Sequence, residues 1–202
     1  MTPVSKTVQF WFDVGSPAAY LAWHRLPEVA QRTGANVVLR PMLLGGVFQA
    51  TGNQSPMMVP AKGKWMQRDL ERFARRDGTP FRHNPHFPIN TLMLMRGAVG
   101  LQMHDEARLK PYVDAVYRAI WADQKNMNDP QVVAAVLHAA GFDPAQMLAL
   151  TSEPDVKERL KAVTAEAVGK GVFGAPTFFV DGEMHWGQDR LNFVEESLKQ
   201  GA

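Results

Sequence analysis

The sequence predicts an α/β fold in which a β-α-β unit and a β-β-α unit flank a long helical block. Three observations predict it. Val8-Gln9-Phe10-Trp11-Phe12-Asp13 is an apolar strand that runs through Gly15 into Ser16-Pro17 and an Ala/Leu-rich helix. Near the other end, Pro176 precedes a second apolar strand, Thr177-Phe178-Phe179-Val180, followed by the hairpin signal Asp181-Gly182. Between them, over about 110 residues, apolar side chains recur at helical rather than strand spacing.

The first strand covers about Val8 to Asp13, and its helix runs to Gly34, a residue suited to stop a helix. Val37 to Met42 reads as a second strand. Strand, helix and strand within about 35 residues form a βαβ unit with parallel strands. Gly45 to Gly63 carries Gly, Asn, Ser and Pro without a periodic pattern and reads as a loop.

Past this loop, Trp65, Met66, Leu70 and Phe73 share one helical face, with Arg68, Asp69, Glu71, Arg72 and Arg75 largely opposite. Prolines 80, 85 and 88 break the stretch from Phe81 to Asn90. Helices follow at about Thr91–His104 and Ala107–Ala122. Asp129-Pro130 and Asp143-Pro144 repeat the pattern of Ser16-Pro17: a capping acceptor, then a proline where the missing N–H costs nothing. A further helix spans about Pro154 to Val168, and the last starts near Gln188-Asp189.

The chain of 202 residues can hold one large domain, or a small one with a sizeable insertion. A net charge of +2, with basic residues scattered, gives no reason to expect nucleic acid as a partner. No stretch approaches the roughly 20 apolar residues of a membrane span. Met1 to Lys6 lacks an apolar secretory core, so a cytoplasmic location is expected. There is no cysteine, which excludes disulfides, thiolate metal sites and any thiol chemistry by the protein itself. The six histidines lack convincing metal-site spacing and read as surface residues, and the methionines as core filling, so no metal is expected. A serine-hydrolase elbow is missing too, because no glycine stands two residues after Ser16.

Two readings stay open for each motif. Ser16 could simply cap its helix, or its hydroxyl could serve an anion held at the helix start. Trp186-Gly187-Gln188-Asp189 could cap and pack the last helix, or hold a ligand's charged end. Lys62 and Lys64 could be solvated lysines or carboxylate partners, and Asn84 and Asn90 fall in the proline-broken stretch.

The segments around Ser16-Pro17, Thr51-Gly52-Asn53, Ala175-Pro176 and Trp186-Gly187-Gln188-Asp189-Arg190 stand in the order seen in the DsbA-like branch of the thioredoxin superfamily, which the chain resembles from Phe10 to about Leu198. Serine in place of the reactive cysteine narrows the resemblance to 2-hydroxychromene-2-carboxylate isomerases and kappa-class glutathione transferases, which take their thiol from glutathione. The resemblance implies a thioredoxin-like domain split over residues 1–62 and 172–202, with an all-helical domain inserted at 63–171. It implies glutathione as cofactor, held by Ser16, Asn53, Lys62, Ala175, Pro176, Trp186, Gly187, Gln188 and Asp189, with a cis peptide bond before Pro176. Ser16 would be the catalytic residue, stabilising the glutathione thiolate. Lys62, Lys64 and Asn84 would face a small aromatic or α-keto acid electrophile. The implied reaction interconverts 2-hydroxychromene-2-carboxylate and trans-o-hydroxybenzylidenepyruvate in naphthalene-type catabolism. A transferase that consumes glutathione and a thiol-less binding or chaperone-like protein are the alternatives, and a homodimer is left open.

Overall fold

The first strand, β1 (Thr7–Phe12), stands at the centre of a four-stranded sheet of order β2-β1-β3-β4. A computed structural model describes residues 6–200. Met1 to Ser5, which bear on the expectation about a secretory segment, lie outside the described residues. After β1 come α1 (Pro17–Thr33) and β2 (Asn36–Pro41), which pairs parallel to β1 with Phe10 opposite Leu39. β3 (Thr177–Val180) runs antiparallel to β1, and β4 (Glu183–Trp186) antiparallel to β3. Asp181 (φ 48°) and Gly182 (φ 87°) join the last two strands with both turn residues left-handed, as the Asp-Gly pair predicts.

The two-residue period of a strand sends alternate side chains to opposite faces. Phe10 and Phe12 stack at 5.2 Å, Phe10 and Phe178 at 5.3 Å, and Trp23 of α1 packs against the first two. Trp11 points the other way, into a cluster with Met42, Val47, Val163, Ala167 and Val172. Hence α1 and the terminal α9 (Leu191–Gln200) pack together, whereas α2 (Leu44–Thr51) packs on α8 (Pro154–Gly169) beside the Trp11 cluster.

The helical block comprises α3 (Pro60–Arg76), α4 (Leu92–His104), α5 (Leu109–Trp121), α6 (Pro130–Ala139), α7 (Pro144–Ser152) and α8. Two glycines let neighbours approach α4: a Cβ at Gly97 would lie 2.4 Å from the Tyr112 hydroxyl, and one at Gly100 2.6 Å from Leu150 Cγ. The boundary at 62/63 falls in the first turn of α3, and one apolar core runs from the β1 phenylalanines to Tyr117 and Trp121 of α5. Among the described residues no single helix is long and apolar enough to cross a membrane.

The stretch from Gly45 to Gly63 is not a loop. It holds α2 and the first turn of α3. Gly45 and Gly46 lower helix propensity and hide the period, and tertiary contacts overrule them. Val47 is fully buried, and Gly46 sits where a Cβ would lie 3.1 Å from Thr164 of α8. Trp65, expected on the inner face of α3, is 59% exposed, while Leu70 on that helix is buried. The C-terminal segment opens as a 3₁₀ turn, Gln188–Arg190, before α9 proper.

Candidate active site

Four residues between β1 and α1 set the geometry of the site. Asp13, at 1% exposure, turns its carboxylate back into the protein. Its Oδ1 accepts from the Gly15 N–H (2.8 Å), and its Oδ2 from the Leu44 N–H (2.8 Å) and the Thr91 hydroxyl (3.0 Å). One side chain thus ties the turn after β1 to the starts of α2 and α4. Burial pushes its pKa above the ordinary carboxylate value, and these hydrogen bonds pull the other way. Trp121 Nε1 donates to the Val14 carbonyl (2.9 Å), so α5 fastens the same turn. A Cβ at Gly15 would lie 2.8 Å from Thr91 Cγ2, a contact that glycine relieves.

Ser16 follows as the N-cap of α1, with extended backbone (φ −92°, ψ 115°) and a side chain 5% exposed as a residue. Its Oγ accepts from the Ala19 N–H at 3.1 Å, which is the capping bond of the plain structural reading. It also donates to the Ala175 carbonyl at 3.0 Å, a residue 159 positions away. Ala175–Pro176 is cis, as the resemblance implies. A second cis bond joins Phe87 and Pro88. The Ala175 N–H has no hydrogen-bond partner among the described residues.

Three further sequence-derived residues gather on this cis-proline segment. Asn53 Nδ2 donates to the Phe173 carbonyl at 2.7 Å, anchoring the chain after α2. The Trp186 ring lies 5.0 Å from that of Phe173 and so close to Gly174 that a Cβ there would meet its Nε1 at 2.7 Å. The Gly187 N–H donates to the Pro176 carbonyl at 3.0 Å, and its φ of 106° suits glycine. Ser16, Asn53, Ala175, Pro176, Trp186 and Gly187 therefore form one connected rim.

The other candidates divide. Gln188 is buried, and both its backbone carbonyl (3.1 Å) and its Oε1 (3.5 Å) accept from Arg25, so its side chain serves the α1 contact. Asp189 is exposed and pairs with its neighbour Arg190. Lys62 and Lys64 are exposed on the first turns of α3 rather than in a loop, and neither has an ion pair among the described residues. Asn84 is a correction. It is 0% exposed, donates to the Ile120 and Lys125 carbonyls (2.9 Å each) and accepts from the His86 N–H (2.8 Å). Its amide nitrogen holds the proline-broken segment to α5 at Ile120 and to the chain beyond it at Lys125, its oxygen braces the turn at His86, and full burial keeps the side chain from a substrate. Asn90 likewise accepts from the Leu92 N–H at the start of α4. Of the histidines, His104 lies beside Glu153 (3.4 Å) and Asp155 (3.9 Å) on the surface.

Residues 7–199 match the family described as the DSBA-like thioredoxin domain. The chain belongs to that family. It is 32% identical to the 2-hydroxychromene-2-carboxylate isomerase of Sphingobium xenophagum, over 96% of this chain and 99% of the relative. It is 28% identical to glutathione S-transferase kappa 1 of Homo sapiens, covering 98% and 93% of the two chains. A solved structure of 2-hydroxychromene-2-carboxylate isomerase superposes with a TM-score of 0.84 at 30% identity, over 96% of this chain and 95% of that one. Relatives of this DSBA-like chain thus include both an isomerase and a transferase.

Asp13 is the residue that positions the turn before Ser16 in this DSBA-like thioredoxin chain, and the sequence pattern does not single it out. One signal was present: Asp13-Val14-Gly15 has the spacing of an Asx turn, in which the carboxylate accepts from the N–H two residues on. Its bonds to Leu44 and Thr91 join segments 31 and 78 residues away, and no local pattern announces them.

Proposed function

We propose that the protein is a glutathione-dependent isomerase acting on a small aromatic or α-keto acid electrophile, of the kind 2-hydroxychromene-2-carboxylate represents. The observation that carries the reading is the Ser16 hydroxyl, placed at the start of a 17-residue helix and 3.0 Å from the carbonyl of the cis-proline segment. The similarity to an isomerase over nearly the full length supports it.

The residues present fit a peptide thiol. Ala175 offers an unpartnered N–H and a carbonyl on the rim, the pair of groups that an extended tripeptide pairs with. Asp189, exposed at the end of the same rim, would pair with the α-ammonium of the γ-glutamyl group, and Lys62 with a carboxylate. Bound glutathione would supply a thiolate that adds to a conjugated double bond, leaves a single bond free to rotate, and departs again.

Ser16 has one proton to donate, and it now lies toward Ala175. In the proposed mechanism the hydroxyl turns that proton to the sulfur and keeps accepting from the Ala19 N–H. The dipole of α1 adds positive potential at the same point. Both favour thiolate over thiol, so the nucleophile is present near neutral pH. Ser16 forms no covalent bond.

The test is stoichiometry. Incubated with trans-o-hydroxybenzylidenepyruvate and a small amount of glutathione, the enzyme should turn over many substrate molecules per glutathione and leave the thiol titre unchanged. Loss of one thiol per product would assign it to conjugation, the chemistry in the name of its kappa-class relative. A chain that binds no glutathione would be a thiol-less binding protein.

A further inference from the structure

A cleft of about 460 Å³ lies between α2, α4 and α8, and none of its lining residues belongs to the Ser16–Ala175 rim. Its volume falls within the roughly 300–1,000 Å³ of small-molecule sites. Leu43, Leu92 and Leu160 supply apolar walls. Thr164, also in the lining, accepts from the Leu43 N–H (3.0 Å) and donates to the Leu160 carbonyl (2.7 Å), so its hydroxyl is satisfied within the protein.

The charged groups lining this cleft are cations. Lys157 and Lys161 follow one another at i, i+4 on the face of α8 that carries Leu160, and Arg96 faces them from α4. Lys161 is bonded to Glu158 at 2.6 Å. Arg96 and Lys157 have no carboxylate within ion-pair distance among the described residues. Among the described residues the enclosed Arg96 Nε has no partner, and its Nη1 reaches only the Met93 sulfur at 3.6 Å. Glu166, on the same helix as the lysines, is taken by Arg40. Two uncompensated cations over an apolar floor have one complement: an anionic group on an apolar body.

We propose that this cleft binds an amphipathic organic anion, a carboxylate carried on an apolar body, with Arg96 and Lys157 holding the carboxylate and the three leucines the apolar body. The cleft shares no lining residue with the Ser16–Ala175 rim, and the proposal does not rest on the thiol chemistry.

Titration with 2-naphthoate, followed by NMR of methyl-labelled leucines, tests it. Saturable shifts at Leu43, Leu92 and Leu160 are expected. Affinity should fall at least fivefold in Arg96→Gln/Lys157→Gln, and neutral 2-naphthamide should bind the unaltered chain at least fivefold more weakly than the acid. Shifts confined to other leucines, or equal affinity for acid and amide, would overturn the proposal. So would a folded double variant with unchanged affinity. If the variant does not fold, the comparison of acid with amide on the unaltered chain decides.

Discussion

Ser16-Pro17 and Asp129-Pro130 are the same helix-start pattern in two settings. Both put a side-chain acceptor before a proline at the first helical position, and both make the capping bond, to Ala19 N–H at 3.1 Å and to Gln131 N–H at 2.8 Å. The surroundings differ. Asp129 is only half-buried, and its carboxylate has only acceptors to offer. Ser16 is 5% exposed, stands on a turn held by Asp13 and Trp121, and keeps a proton that it directs across the chain to Ala175. A cap uses one lone pair of the hydroxyl. What distinguishes a site from a cap is where the remaining hydrogen-bonding capacity points.

The sharpest way to break this comparison is to give Ser16 the chemistry of Asp129. Ser16→Asp keeps an acceptor for Ala19 but loses the proton, and it sets a carboxylate against the Ala175 carbonyl. If the proposed function holds, the isomerase rate should fall by roughly 10²–10³-fold, as for loss of an oxyanion-hole donor. Ser16→Ala should lose a similar factor and in addition about 1 kcal/mol of stability with the cap. In both variants the thiol pKa of bound glutathione, read from thiolate absorbance, should rise. A normal rate in Ser16→Asp would make Ser16 a cap like Asp129.

Asp13 gives the next largest effect, on stability. Asp13→Ala leaves the half-buried Gly15 and Leu44 N–H groups and the buried Thr91 hydroxyl without their acceptor. The expected loss is roughly 2–4 kcal/mol, measured as a shift of the denaturant midpoint. Asp13→Asn separates charge from shape. Burial raises the carboxyl's pKa in the folded state above the ordinary 3.8, so the unfolded chain ionises first as pH rises. Wild type should therefore lose stability relative to Asp13→Asn as pH rises from below 3.8 through the folded-state pKa, and regain it on acidification. A flat difference across that window would mean that Asp13 titrates alike in both states.

The contrast between the two caps was only half legible in the sequence. Pattern alone places both caps, both turn residues of the β3–β4 hairpin, and the order of strands and helices, because each rests on local chemistry. Glycines at 45 and 46 concealed α2, whose stability comes from Val47, Thr164 and Asp13 rather than from propensity. Asn84 was itself a candidate, in a segment with no period, and only the fold shows its amide bonded on both sides within the protein. Asp13 failed to stand out for the same reason: two of its three partners are distant in sequence.

At the far end of the rim, adjacent residues divide in the same way as the two caps. Asp189 is exposed beside Arg190, and Gln188 is buried under Arg25. Asp189→Ala should weaken glutathione binding by about 1.5–3 kcal/mol in calorimetry and leave stability nearly unchanged. Gln188→Ala should show the reverse, with a lower melting temperature and glutathione affinity altered less. Unchanged affinity in Asp189→Ala would remove it from the γ-glutamyl end.

The smallest effect belongs to Asp129 itself. Asp129→Ala removes the bond to Gln131 and with it the favourable charge at the start of α6. A cap lost in this way costs about 1 kcal/mol, which for a chain of this size lowers the melting temperature by only about 2–4 °C. Catalysis should not change, since α6 contributes no residue to the Ser16–Ala175 rim. Asp129→Ser should restore most of the stability, because the two residues cap almost equally well. Ser and Asp are thus expected to interchange freely at 129 and not at 16. A rate loss in Asp129→Ala, or tolerance of aspartate at both positions, would erase the distinction between the two helix starts.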